Sequence, residues 1–124
     1  MEEVKYIPGD LVTNHRDTVL RIVDMVKGMF YTEYQDGTPG LYISRKDIVP
    51  IPLTPQILET NGWLKIEDKF YTGYQHPKDW RLQIQTTKGR CVAYLHDEML
   101  FEIDSVHELQ HLLFGLGLPS NLKV

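Results

Sequence analysis

Met29-Phe30-Tyr31-Thr32-Glu33-Tyr34-Gln35-Asp36-Gly37-Thr38-Pro39-Gly40-Leu41-Tyr42-Ile43 decides the first half of the fold. Aromatic and polar side chains alternate over 29–34, the two-residue period of a half-buried strand. Asp36-Gly37-Thr38-Pro39-Gly40 then supplies a turn: both glycines are expected there, because glycine reaches positive φ without a Cβ penalty and proline fixes its own φ. Leu41-Tyr42-Ile43 returns as the second strand. Working outward, Gly9-Asp10-Leu11-Val12 opens a strand after Pro8, Thr18 to Val26 is a β-branched run ended by Lys27-Gly28, and Ile48 to Ile51 closes the set. No helical period competes, so residues 1–51 predict a small antiparallel barrel.

The second half predicts an α-β-β-β-α unit over residues 52–124, packed against the barrel, since the stretch from Pro50 to Pro55 is too short and apolar for a flexible linker. Thr54-Pro55 starts a helix with a capping hydroxyl followed by proline at the first helical position, and Asn61-Gly62 ends it. Strands follow at Leu64 to Tyr74, Trp80 to Gln85 and Arg90 to Leu95, with Met99 to Ile103 as a further candidate after a turn at His96-Asp97-Glu98. A closing helix runs from Ser105 to about Leu116, stopped by Gly117 and Pro119. Leu58 and Leu113 are expected to cover the sheet carrying Leu82 and Ile84.

Composition narrows the classes. The 124 residues carry 13 basic and 17 acidic side chains, net −4. Six basic face eight acidic residues up to Pro50, and seven face nine beyond it. This even spread disfavours non-specific nucleic-acid or membrane binding. One cysteine, Cys91, excludes an internal disulfide framework. Met1 to Lys5 places acid where a signal peptide needs basic residues, and no apolar run approaches membrane-spanning length. A cytoplasmic protein is expected.

The order of a short Gly-Asp strand, a long bent hairpin and a closing strand resembles an SH3-like barrel over residues 7–51, a fold that hosts many functions. The segment Ile48-Val49-Pro50-Ile51-Pro52-Leu53-Thr54-Pro55-Gln56-Ile57-Leu58-Glu59-Thr60-Asn61-Gly62-Trp63, with Val106-His107-Glu108-Leu109-Gln110-His111-Leu112, resembles small proteins of Bacteroidetes prophages and mobile elements. In that family the position of Glu108 is more often Gln and that of His111 often another polar residue. The resemblance implies a phage or mobile-element setting and no particular chemistry.

His107-Glu108-Leu109-Gln110-His111 matches H-E-x-x-H, in which two histidines one helical turn apart bind zinc and the glutamate activates a water. A catalytic zinc needs a third protein ligand, and no His, Asp, Glu or Cys follows His111. Upstream candidates are Cys91, His96, Asp97, Glu98, His76 and His15. The extended pattern fails, with Phe114 where glycine belongs and Gly117 where the third histidine belongs. Ser105-Val106-His107-Glu108 also reads as a capping box that engages Glu108 at the helix start. The apolar stripe Val106, Leu109, Leu113 and Leu116 places both histidines on its flank. Cys91 lies within a strand and reads as a small core residue.

The leading expectation is therefore a non-catalytic protein-interaction module without a cofactor, meeting a host or phage protein through Tyr31, Tyr34, Tyr42, Trp80 and Arg81. The alternative is a zinc-dependent hydrolase with Glu108 as the catalytic base and His107 and His111 as metal ligands. A second alternative, a nucleic-acid-binding accessory, would gather Lys78, Arg81, Lys88 and Arg90 beside a stacking Trp80.

Overall fold

The computed structural model describes residues 6–69, 71–87 and 89–124. Met1 to Lys5, Phe70, and Lys88 of the basic set lie outside the described residues. In chain order the elements are β1 (Leu11–Thr13), β2 (Val19–Val26), β3 (Met29–Tyr34), β4 (Pro39–Ser44), a 3-10 turn (Arg45–Asp47), β5 (Val49–Pro50), α1 (Pro55–Thr60), β6 (Leu64–Glu67), β7 (Thr72–Gln75), β8 (Leu82–Thr87), β9 (Arg90–Leu95), β10 (Glu98–Glu102) and α2 (Val106–Gly115). The protein is α+β, with two five-stranded sheets whose pairings are antiparallel.

The chain divides into two compact units. The first comprises residues 1–51 and 105–121, the second 52–104 and 122–124. Sequence placed all of 52–124 in one unit, whereas the structure groups α2 with the first sheet. Leu113, fully buried, thus belongs to the unit of β1 to β5 and not to that of Leu82 and Ile84.

In the first unit the strand order is β4-β3-β2-β1-β5, curled into a half-barrel. Tyr6, Val12, Leu20, Ile22, Phe30, Ile43 and Ile48 form its core, each contributing roughly 1.5–3 kcal/mol if fully withdrawn from water. Two bulges bend the sheet: Val23 is the extra residue of β2 opposite β3, and β4 carries one opposite Thr32. Gly37, at φ +87°, makes the turn as expected. Gly40 does not; it lies inside β4 at the bulge. Its requirement is close approach, because a Cβ there would stand 2.8 Å from Thr32 Oγ1 and 2.9 Å from Thr32 O. Thr32 is itself buried and donates its hydroxyl to Leu41 O at 2.7 Å.

In the second unit the order is β10-β9-β8-β7-β6, an uninterrupted meander. The expected single strand from Leu64 to Tyr74 is a hairpin, β6 and β7, so five strands stand where three or four were expected. The β8 strand starts at Leu82, leaving Trp80 outside it. His96 and Asp97, at φ +53° and +65°, form the two-residue turn between β9 and β10. Thr54 caps α1 by accepting from Ile57 N, and Gly62 at φ +83° ends it, both as the sequence predicts. Leu58, Leu82, Ile84, Ala93 and Ile103 are fully buried, and Cys91 is a core residue whose thiol burial pushes up.

Gly40→Ala is expected to destabilise the protein by about 1–3 kcal/mol in urea unfolding, because the neighbour it meets is backbone as well as side chain. An unchanged midpoint would show that Thr32 can withdraw.

Candidate functional site

The H-E-x-x-H residues lie in the first unit at the start of α2, beside the turn that introduces β1. Ile7-Pro8-Gly9-Asp10 is a type II turn: Gly9 sits at φ +98° and Asp10 N donates to Ile7 O at 3.1 Å. The Asp10 carboxylate folds back onto Ile7 N at 2.9 Å and, 2% exposed, meets His111 Nε2 with both oxygens at 2.9 Å. Beside it, Gln110 is fully committed. Its Oε1 accepts from Leu11 N at 2.8 Å, and its Nε2 donates to Gly9 O at 2.9 Å and Ser120 O at 3.1 Å.

His107 is buried, not at the boundary as its place beside the apolar stripe suggested, because the Tyr6 ring covers it with centroids 4.8 Å apart. The Ser105 hydroxyl donates to Glu108 Oε1 at 2.7 Å, so at the 3.0 Å contact with His107 Nδ1 it must accept, and His107 carries its proton on Nδ1. This replaces the expected capping box: the Ser105 hydroxyl makes no hydrogen bond to a helix N–H and ties two side chains instead. The ring centroids of His107 and His111 are 5.6 Å apart, but each imidazole turns to a different partner. Glu108 faces Ser105. Among the described residues no group of three or more His, Cys, Asp or Glu side chains could hold a metal ion.

A shallow recess of about 150 Å³ opens beside the Asp10–His111 pair, walled by Ile7, Pro8, Phe114 and Ser120. The polar groups at its floor already have protein partners, and the Ser105 hydroxyl is buried away from any substrate. Asp10 and Gln110 were the residues missed in the sequence. Gln110 was detectable, since 106, 109, 110 and 113 share one helical face and it is the polar member of an apolar stripe.

The expected contact residues separate. Tyr31 and Tyr42 are cross-strand partners on the outer face of β3 and β4, their rings 5.0 Å apart, and Tyr42 is 63% exposed. Val26 and Met29, also paired, extend that face. Tyr34 pairs with buried Leu20 and so points to the opposite side. In the second unit Trp80 is exposed and packs edge-on against His96, 5.4 Å between centroids. Arg81 is held by Asp79 in a two-point ion pair, 2.9 Å at each contact, which lowers the Asp79 carboxyl to about 2. Arg90 pairs with Glu102 at 3.5 Å, so two members of the expected basic set, Arg81 and Arg90, each face a carboxylate.

Burial lowers the His107 imidazole below 6.5, against the opposing pull of Asp10 and Glu108, and lowers buried His76 likewise. His76 Nδ1 accepts from Lys78 N at 3.0 Å, a bond made by the neutral ring. The unfolded chain therefore binds protons more readily than the folded one just below pH 6.5. The stability these rings contribute is present above that pH and lost as pH falls through their depressed folded values. The melting temperature should decline from about pH 6.5 towards 5, less steeply in His76→Gln. A profile flat over that interval would contradict it. Gln110→Ala should cost about 2–4 kcal/mol in denaturant unfolding, by leaving buried Leu11 N without an acceptor and opening a cavity; a loss under about half a kcal/mol would show these bonds replaced by water.

Comparison with protein-family models, with curated proteins and with solved structures gives no significant match to this chain.

Proposed function

We propose that this protein is a non-catalytic interaction module that works by protein–protein contact through the outer face of β3 and β4. The observation carrying this is the Tyr31–Tyr42 pair, its rings tilted at 47° with centroids 5.0 Å apart, continued by Val26 and Met29 as an aromatic and aliphatic surface on one face of the sheet. Tyrosine suits such a surface, giving large contact area with little side-chain entropy to lose. The neighbouring chemistry supports the same reading, since Ser105, Glu108, His111 and Asp10 spend their polar atoms on one another.

The proposal includes an SH3-like assignment for the first unit: β2, β3 and β4 form the meander, and β1 joins it to β5, the order of such barrels. It also includes a phage or mobile-element setting, on the resemblance of residues 48–63 to that group. No helix among the described residues is long and apolar enough to cross a membrane.

The test is affinity capture from lysate of the source organism with wild-type protein and with Tyr42→Ser, a change on an exposed position expected to leave the melting temperature within a degree or two. A partner retained by the wild type and reduced at least tenfold by Tyr42→Ser is the expected result. Equal capture by both proteins would remove the tyrosine face from the function.

A further inference from the structure

The second sheet ends in an edge that is unusual for a soluble fold. The last strand, β10, is Glu98-Met99-Leu100-Phe101-Glu102, and all five residues are exposed, Met99 at 68%, Leu100 at 38% and Phe101 at 46%. It pairs with β9 on one side, and no described strand pairs with it on the other. An open edge with three consecutive apolar side chains is a template for another strand, and folded proteins ordinarily blunt such edges with lysine, proline or an inward charge. Here no lysine or proline stands on the strand; a bulge at Leu100, between Met99 and Phe101, and the terminal glutamates Glu98 and Glu102 are its devices.

Charge decides what fits. Acids flank the apolar centre on both sides: Asp97 and Glu98 before it, Glu102 and Asp104 after it. Arg90 answers Glu102 alone. A second copy of the strand is a poor occupant, because antiparallel pairing about Leu100 sets Glu98 against Glu102 twice, and parallel pairing in register sets each glutamate against itself; like charges directly opposite destabilise a sheet. The register with β9 turns Glu98 and Phe101 to one face and Met99 and Glu102 to the other. Each face thus presents one apolar and one acidic side chain, at opposite ends.

We propose that β10 is a docking edge for an extended segment of a partner protein, apolar at its centre and carrying Lys or Arg at both ends, which adds a sixth strand to the second sheet. Main-chain hydrogen bonds would supply affinity, and the two end charges would set specificity and exclude self-pairing. This surface lies on the second sheet and is separable from the tyrosine face of the first.

The probe is the blocked hexapeptide KVTITK, whose end lysines fall on opposite faces of a strand, compared with EVTITE, titrated into 15N-labelled full-length protein. The expected result is movement of the Glu98–Glu102 amide resonances with KVTITK, binding at least tenfold weaker with EVTITE, and reversal of that preference in Glu98→Lys/Glu102→Lys. Tyr42→Ser should bind KVTITK like the wild type, so a failure here is distinguishable from a failure of the tyrosine face. The proposal is overturned if neither peptide moves those resonances at millimolar concentration, if both bind equally, or if the protein alone dimerises through β10 as its concentration rises.

Discussion

The side chain of Gln110 is the central tie between the two stretches of sequence that make up the first unit. Gln110 comes from the last helix, yet all its hydrogen-bonding partners are backbone groups of other segments: Gly9 O, Leu11 N and Ser120 O. Leu11 sits at the start of β1, whose outer partner β5 holds the closing edge of the sheet. Without an acceptor for Leu11 N, the start of that strand would carry a buried, unsatisfied donor. Asp10 to His111 repeats the link one residue along on each side. Together these contacts fix where α2 lies on β1, and the burial of Val106, Leu109 and Leu113 follows from that placement.

The same contacts explain why the zinc-like motif is better understood as architecture. In a metalloprotease the i, i+4 histidines converge on one ion and the glutamate stands over it. Here the three side chains diverge, His107 to Ser105 and Tyr6, Glu108 to Ser105, His111 to Asp10. Every buried side-chain nitrogen and oxygen among the described residues has a hydrogen-bond partner. A network in which each polar group is already answered is suited to specifying one packing arrangement.

Local signals carried much of the fold. The alternation of 29–34, the Asp36-Gly37 turn, the Thr54-Pro55 cap and Gly62 stop each depend on neighbours in sequence, and each appears where its chemistry predicts. What was not legible is long-range. Gly40 could be read only as a turn residue, because the backbone it must approach, Thr32, is brought there by the hairpin itself. The split of 64–74 into two strands is marked only by Asp68-Lys69, because the Phe70-Tyr71 that follows reads as strand. The assignment of α2 failed for the same kind of reason: an amphipathic stripe says that a helix is buried, not against which sheet. At the candidate surface the sequence suggests a group of Tyr31, Tyr34 and Tyr42, although a three-residue spacing along a strand already sets Tyr31 and Tyr34 on opposite faces, while the pairing of Tyr31 with Tyr42 requires the register across the bulge.

The division of the chain bears on how it is made. The first unit is interrupted between Ile51 and Ser105, and the interruption is stapled shut at its base, Leu53 N to Asp104 O at 3.0 Å within the second unit and Val106 N to Ile51 O at 2.8 Å within the first. During synthesis β1 to β5 leave the ribosome before the helix that covers β1 exists, and at about 5–20 residues per second the wait is on the order of several seconds. The curled sheet is a nascent, half-covered object in that interval, whereas the inserted meander, built from neighbouring hairpins, can fold as it emerges. Vectorial translation therefore favours the inserted meander ahead of the completed host unit, with Gln110 arriving as the late fastener.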